Sequence, residues 1–313
     1  MKIIRGIHNL KRINSSSVVT IGNFDGIHLG HQKLFSNTYE IGKKYQIKTI
    51  IILFEPQPLE FLKKQEAPVR ITTFREKIKR ILSYNFDKIL CIKFNKSFSS
   101  LDPKDFIINI LINKLRIKFI VVGNDFRFGC QRHGNIDLLK TLGKKHQFQI
   151  VQIKPLYINN IKVSSTNIRK FLFQNDIKHA SLLLGRLFSI YGKVVHGSAI
   201  GRTIGYPTAN ILLNKNFLLS NGVYAVRVRC FSNRDFIGIS NIGVKPSFIN
   251  TQKNRFLETY LLDIKINLYR ENIEIFIYKK IRNERFFSSK NELKNQISKD
   301  IEIVKKYFKN DKN

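Results

Sequence analysis

The chain has 313 residues, a length that fits two domains of ordinary size, each with its own hydrophobic core. Hydrophobic residues make up 43% and aromatic residues 12%, which excludes a disordered chain. The net charge is +33, and the lysines are spread along the whole chain, accompanied everywhere by Asn and Ile. This pattern favours a compositional bias over a nucleic-acid-binding surface.

Two further features bear on the compartment. The start, "MKIIRGIHNLKRINSSS", is basic but lacks the apolar core of a secretory signal, and no apolar run approaches the ~20 residues needed to span a bilayer. Cys91, Cys130 and Cys230 are odd in number and form no CxxC pair. We therefore expect reduced thiols in a cytoplasmic protein that binds no membrane.

The first half of the chain alternates strand-like runs with helical stretches. Helices are predicted directly after the first strand, at 74–84 and at 103–115; strands are predicted at 17–22, 47–54, 87–94, 117–123 and 148–156. Runs rich in Ile and Val that are apolar on both faces indicate a doubly wound parallel sheet. Ligands bind beyond the carboxyl ends of such strands, which is where "GNFDGIHLGH" and "GNDFRFG" begin.

From about residue 188 the pattern changes to short strands joined by turns that contain Gly and Asn, which is typical of an antiparallel barrel. These strands are predicted at 188–197, 222–232, 234–243, 255–264 and 271–281. A charged helix at 289–308 follows, with one apolar face made of Leu293, Ile297, Ile301 and either Val304 or Ile303. The helical region 165–185 carries the domain boundary near 183, so the predicted domains are 1–183 and 184–313.

The glycine-rich stretch "GNFDGIHLGH" predicts a phosphate-binding turn. Gly22 and Gly26 allow a tight turn, and a helix starting at Gly30 would offer free N–H groups to phosphate. His28 and His31 are three positions apart, so on a helical turn both could donate to phosphate oxygens. A lone HxxH is more simply interpreted as a polar turn. With no acid or nucleophile beside them, the histidines suit adenylyl transfer, in which the attacking phosphate needs no base.

A second candidate phosphate cradle lies in "VSSTNIRKFL", where Ser165, Thr166 and Arg169 start another helix; the simpler interpretation is an ordinary helix cap. "GNFDGIHLGH", "FEPQP", "GNDFRFG" and "SSTNIR" together resemble the nucleotidyltransferase domain of bacterial bifunctional riboflavin kinase/FAD synthetases. The resemblance implies an adenosine or flavin side at Asn124 and Phe126. It also implies catalytic roles for His28 and His31, and contacts to the ATP phosphates from Gly22, Phe24, His28, His31, Ser165, Thr166 and Arg169. Gln57 departs from the histidine usual in the family's "FEPHP".

The stretch "GKVVHGSAIGRTIGYPTAN" at 192–210 is not a Walker loop, because no Gly-Lys-Ser/Thr follows its glycines. Gly197, Gly201 and Gly205 still predict a flexible flap with exposed N–H groups that could wrap phosphates. On an extended segment Thr208 and Asn210 share a face, and their oxygens suit Mg²⁺ bound to nucleotide phosphates. Glu258 could accept the proton of an attacking alcohol. In isolation these features also fit a barrel loop and one solvent-facing carboxylate.

The second half, from "GKVVHG" through "ETYLLD" to "KKIRNERFFSS", resembles the riboflavin kinase domain of the same family. The resemblance implies that Glu258 activates the 5′-hydroxyl of riboflavin and that Thr208 and Asn210 bind Mg²⁺-ATP, with Gly201 and Arg202 as further ATP contacts. It thus implies a parallel-sheet nucleotidyltransferase domain followed by a β-barrel kinase domain. The family's usual residues are replaced at Lys245, Ser247, Tyr260, Asn267 and Arg270.

Three functions stay open at this point. The leading hypothesis is a two-site enzyme that uses ATP to make FMN from riboflavin and FAD from FMN, without nucleic acid or an obligatory protein partner. A second hypothesis keeps only one of the two sites active, because of the substitutions. The third is a basic protein that binds nucleic acid on an enzyme-like scaffold.

Overall fold

The computed structural model describes residues 2–197, 200–214, 216–230, 234–246, 253–264 and 266–310. It divides into two compact units, Met1–Ser165 and Thr166–Asn313. The predicted domain limits, 1–183 and 184–313, stay a prediction.

The first unit is built on a six-stranded sheet in which every neighbouring pair is parallel, in the order β1-β4-β3-β2-β5-β6. The strands are β1 (Lys2–Arg5), β2 (Ser17–Ile21), β3 (Lys48–Glu55), β4 (Lys88–Lys93), β5 (Ile117–Gly123) and β6 (Gln149–Ile153). A short hairpin, β7 (Tyr157–Ile158) and β8 (Ile161–Lys162), follows.

Helices cover both faces of this sheet. They are α1 (Leu29–Tyr45), α2 (Pro58–Lys63), α3 (Phe74–Leu82), α4 (Lys96–Ser99), α5 (Pro103–Asp105) with a π-helical turn at Phe106–Ile112, and α6 (Ile136–His146). Alternate residues of the central strands enter opposite cores. Ile50 and Ile52 pack in the cluster that contains the π-helical turn, whereas Ile51 and Leu53 pack with Phe35 of α1 and Ile81 of α3. Both strand faces are therefore buried, as the near-continuous Ile and Val runs predict.

The second unit is a closed antiparallel barrel in the order β10-β13-β12-β11-β14-β9. Its elements are α7 (Ser165–Phe173), which starts on the last residue of the first unit, α8 (Ile177–Leu184), β9 (Ser189–Val195), α9 (Ile200–Thr203), β10 (Ala209–Leu213), β11 (Gly222–Arg229), β12 (Asp235–Pro246), β13 (Lys253–Leu261), β14 (Asn272–Arg282) and α10 (Lys290–Asn310). Val304 and Phe308 of α10 are buried against the barrel.

The predicted fold class is confirmed: a parallel α/β sheet, then a barrel and a terminal helix. Of the two candidates on α10, Val304 is buried and Ile303 is 49% exposed. β1 and α6 have no counterpart among the predicted elements. β1 is an edge strand that buries only Ile4, and so carries little hydrophobic pattern. The Asn135 side chain caps the start of α6 by accepting the Leu138 N–H. Asn is a favoured N-cap residue, so the sequence did carry a signal for this helix. All three cysteines are in the thiol form.

Candidate active sites

The stretch "GNFDGIHLGH" forms the loop from β2 into α1, and His28 is the N-cap of that helix. The His28 Nδ1 accepts the main-chain N–H of His31 at 3.3 Å. Since Nδ1 accepts this bond, the proton of the neutral His28 ring is on Nε2, which is the donor nitrogen. Within the described part of the chain, the N–H groups of Leu29 and Gly30 have no hydrogen-bond acceptor. The helix thus presents unsatisfied N–H groups, the usual basis of anion binding at a helix N-terminus.

The two histidine rings lie on the same side, as their spacing predicts. Their centroids are 3.5 Å apart, and the rings are nearly parallel, at 19°. His28 is only 6% exposed, whereas His31 is half-buried and contacts the edge of Phe24. The pair is therefore a packed stack, which restricts where each ring can donate.

The loop itself is held by contacts from a distant segment. The Asp25 carboxylate accepts the N–H groups of Ile71 and Thr72 at 3.0 and 3.2 Å, and the Thr72 hydroxyl accepts the Gly26 N–H at 3.2 Å. Gly26 has φ +81°, a conformation that glycine adopts without strain. Asp25 and Thr72 were not among the predicted residues; their separation of 47 positions leaves no local signal.

A cavity of about 720 Å³ opens at the carboxyl edge of the sheet in the first unit. It brings together predicted residues from two loops: Gly22, Phe24, His28 and His31 after β2, and Asn124 and Phe126 after β5. Its wall is largely aromatic and aliphatic, with the Phe126 and Phe128 rings stacked at 5.3 Å. An apolar cavity with a polar end suits a ligand that has a planar ring system and phosphates.

Basic side chains also line this cavity: Arg127, Arg132, Lys154 and Lys162. Asp125 at the same rim lies 3.6 Å from the Lys162 ammonium, and both are exposed. The excess of cations over this single carboxylate favours an anionic ligand. None of these basic residues was predicted as a site residue.

Gln57, the departure from the family's histidine, is the N-cap of α2 and is 6% exposed. Its main-chain N–H donates to Glu60 at 2.9 Å, while its Nε2 has no acceptor among the described residues. Arg70 bridges Glu60 and Glu55 next to this turn. Although burial opposes it, the hydrogen bond from Arg70 lowers the pKa of Glu60, so this cluster is a charged network that fixes the start of α2.

The second predicted cradle starts α7. The Ser165 hydroxyl donates to the main-chain carbonyl of Asp25 at 2.9 Å, so this residue contacts the β2–α1 loop. Thr166 and Arg169 follow on the same helix and belong to the second unit.

In the barrel, three neighbouring strands bring polar residues side by side. Glu258 of β13 pairs in register with Asn210 of β10 on one side and with Asn241 of β12 on the other. Directly opposed residues of antiparallel strands share a face, so the three side chains form one polar row. Asn241 was missed, because the pairing of β12 with β13 is not readable from either strand alone.

The loop between β9 and β10 packs onto this row. A Cβ at Gly197 would lie 2.5 Å from the Asn210 Nδ2, so any larger residue here would displace the Asn210 amide. Gly201 lies in α9 against the Tyr206 carbonyl, Arg202 is exposed, and Thr208 is half-buried just before β10. The loop thereby places Thr208 and Asn210 at the same end of β10.

Three of the five substituted family positions have contacts that the structure describes. Tyr260 meets the Tyr206 ring edge-on at 5.3 Å. The Asn267 Oδ1 accepts the Tyr269 N–H at 3.1 Å, and the Arg270 N–H donates to Val194 at 3.1 Å. Lys245 is described only in its backbone, and Ser247 lies outside the described residues.

The donor set around Asn210 fits a hard divalent ion. The Asn210 Nδ2 donates to the Thr208 carbonyl at 3.3 Å, which turns the amide so that its Oδ1 is left as an oxygen ligand. In the described part of the chain, no cluster of three or more His, Cys, Asp or Glu side chains could hold a metal by itself. A Mg²⁺ ion here would accordingly take its remaining ligands from nucleotide phosphates and water.

A parallel-sheet unit whose helix start suits phosphate, and a barrel with a carboxylate beside candidate metal ligands, are the features of a nucleotide-dependent transferase. A family model for FAD synthetase matches residues 10–167, and one for riboflavin kinase matches residues 184–308. The chain is therefore a member of the bifunctional riboflavin kinase/FMN adenylyltransferase family.

Curated relatives match along the whole chain. A bifunctional riboflavin kinase/FMN adenylyltransferase of Buchnera aphidicola subsp. Acyrthosiphon pisum is 74% identical over 313 residues, covering 100% of both chains. The Escherichia coli (strain K12) protein of the same description is 41% identical and covers 98% of each chain.

Among solved structures, one described as a macrolide-efflux protein from Streptococcus pneumoniae matches with a TM-score of 0.83 and 27% identity, over 97% of this chain and 98% of that one. None of the helices among the described residues of this chain is long and apolar enough to cross a membrane.

Proposed function

We propose that the chain carries out both reactions of its family at two independent sites. The barrel transfers the γ-phosphoryl group of ATP to the 5′-hydroxyl of riboflavin, giving FMN and ADP. The parallel-sheet unit joins FMN to the AMP moiety of a second ATP, giving FAD and pyrophosphate. The observation that carries the proposal is the presence of a helix start with unsatisfied N–H groups in one unit and the Asn210–Glu258–Asn241 row in the other.

In adenylyl transfer, a phosphate oxygen of FMN attacks the α-phosphorus of ATP and the bond to pyrophosphate breaks. Since the FMN phosphate is already anionic, the site needs orientation and charge stabilisation more than a base. The Nε2–H of His28, the half-buried His31 and the N–H groups at the start of α1 supply hydrogen-bond donors for the triphosphate. Ser165 adds a phosphate contact, Gly22 and Phe24 border the phosphates, and Asn124 and Phe126 contact the adenosine or the flavin. For Thr166 and Arg169 the phosphate role rests on the family resemblance alone.

In the kinase reaction, Glu258 accepts the proton of the riboflavin hydroxyl as its oxygen bonds to the γ-phosphorus. Thr208 and Asn210 would hold Mg²⁺, which when bound neutralises charge on the nucleotide phosphates. The glycines at 197, 201 and 205, with Arg202, let the loop approach the triphosphate closely.

The test separates the two reactions. The wild-type chain is incubated with riboflavin, ATP and Mg²⁺, and the flavins are resolved by chromatography; formation of FMN and FAD is expected. Glu258→Ala should stop FMN formation yet leave the conversion of added FMN to FAD, and His31→Ala should do the reverse. If one substitution abolished both half-reactions, the sites would not be independent.

The alternatives give different results in the same experiment. Turnover in only one half-reaction by the wild-type chain would identify a decayed site, and salt-sensitive RNA binding without flavin turnover would favour the nucleic-acid hypothesis. The three cysteine thiols favour a reducing compartment, and location in the cytoplasm stays a prediction.

A further inference from the structure

Lys77 of α3 is a buried cation that the proposed mechanism does not use. It is only 1% exposed, and its ammonium donates to the main-chain carbonyl of Asn23 at 2.6 Å. Burial lowers the pKa of Lys77, while the carboxylates of Asp25, Glu55 and Glu60 act in the opposite direction. Burying an ammonium is costly, and an apolar side chain of similar size would often pack as well, so packing alone does not account for a lysine at this position.

The carbonyl that Lys77 contacts belongs to the loop between β2 and α1. Both Asn23 and Phe24 line the cavity of the first unit. Phe24 and Ile27 have φ of 47° and 43°, an uncommon backbone conformation for residues other than glycine. Such a conformation persists only where its surroundings enforce it. Lys77 adds one of these enforcing contacts, next to those that Asp25 makes with the segment after Arg70.

The same peptide unit has a free donor on its other side. In a trans peptide the N–H of Phe24 points away from the carbonyl of Asn23, and so away from Lys77. Neither the Asn23 nor the Phe24 N–H has an acceptor among the residues the structure describes. Successive N–H groups in a loop of this kind form an anion-binding concavity. A cationic donor on the carbonyl also polarises the peptide, which strengthens the N–H as a donor.

We propose that Lys77 is a positioning residue for adenylyl transfer, which fixes the loop at Asn23 and polarises the Asn23–Phe24 peptide, so that the N–H groups of Asn23 and Phe24 bind the ATP phosphates. The inference rests on the proposed function of the first unit. Lys77 itself touches no substrate; it acts through the loop. Its effect therefore falls on ATP and leaves the flavin side of the cavity unchanged.

The experiment compares Lys77→Met and Lys77→Gln with the wild-type full-length chain. Methionine keeps the approximate volume but removes the donor and the charge, whereas glutamine keeps a neutral donor. For Lys77→Met, kcat/KM for ATP in FMN adenylylation should fall about ten- to a hundredfold, the loss expected for one charge-assisted hydrogen bond. The KM for FMN should change little. The kcat/KM for ATP of Lys77→Gln should lie between the values of the wild type and Lys77→Met.

Two controls accompany the variants. Lys79→Met removes an exposed lysine from the same helix and should leave the ATP parameters unchanged. Riboflavin phosphorylation, measured on the same preparations, should match the wild type throughout, and circular dichroism with thermal unfolding reports folding. If the wild-type chain makes no FAD from FMN and ATP, the proposed function fails before any variant is compared.

Given an active wild type, three results would overturn the inference. These are unchanged ATP parameters in folded Lys77→Met, equal losses for ATP and FMN, or loss of the cooperative unfolding transition in both variants. The last result would make Lys77 a stability residue alone.

Discussion

The C-terminal helix α10 is attached to the barrel by two ion pairs of very different burial, which allows a matched prediction. Asp300 is 1% exposed, and the guanidinium of Arg282 on β14 reaches its carboxylate through Nε at 2.9 Å and Nη2 at 2.8 Å. Lys305 and Asp263 form the other pair at 2.9 Å, with side chains that are 51% and 75% exposed.

Asp300→Ala should destabilise the second unit by about 3 kcal/mol, because removing one partner leaves a largely buried charge without compensation. This loss lies at the lower end of the range for breaking a buried ion pair. The reason is that the Arg282 side chain is 21% exposed and still donates from Nη1 to the Asn283 carbonyl at 2.9 Å. For a unit of this size, about 3 kcal/mol corresponds to a fall in Tm of about 6–12 °C. Asp263→Ala should cost about 0–1 kcal/mol.

The assay is urea and thermal unfolding of the full chain, together with the heat inactivation of each half-reaction. Asp300→Ala should lower the temperature at which riboflavin phosphorylation is lost, while FMN adenylylation survives as in the wild type. A loss of unfolding free energy below about 1 kcal/mol for Asp300→Ala, or equal losses for both variants, would refute the reasoning. Burial would then not determine how much each ion pair contributes to stability.

Two further predictions concern the kinase site and the pH dependence of the sheet unit. Gly197→Ala forces the Asn210 amide to move, so kcat/KM for riboflavin phosphorylation should fall about a hundredfold while FMN adenylylation is unchanged, as steady-state kinetics on each substrate will check. Burial of Asp87 opposes ionisation, but hydrogen bonds from Thr49 and the Lys48 ammonium outweigh it and lower the pKa of Asp87. Its stabilisation is therefore present above the ordinary aspartate pKa and lost as the pH falls through the lowered one, so the destabilisation by Asp87→Asn in urea should be clear at pH 6 and vanish in strong acid.

Some residues of the two candidate sites could be predicted from local sequence motifs, and others could not. Gly22, His28 and His31 lie within ten positions of one another and carry their signal together, as do Gly201, Thr208 and Asn210. The local pattern predicted the helix start at the first site and the extended strand at the second. It did not predict that His28 would cap α1 by accepting an N–H through Nδ1, because that depends on the side-chain rotamer.

Other residues could be found only after folding. Asn241 stands beside Glu258 through the register of β12 and β13, and Lys77 reaches Asn23 across 54 positions of chain. Asp25 similarly meets Ile71 and Thr72 only because α3 and its preceding turn pack over the β2–α1 loop. None of these contacts has a periodic or spacing signal.

Hydrophobic period and turn chemistry are local properties of the chain, so they were enough to predict the two fold classes, their order and the two glycine-rich candidate phosphate sites. The residues that support those candidate sites became visible only in the folded chain. Register and packing join segments far apart in sequence, and the free energy that fixes these contacts comes from burying both segments together. A buried lysine such as Lys77 shows the difference: in the sequence it is one of many lysines, and in the fold it lies behind a candidate ATP-binding loop.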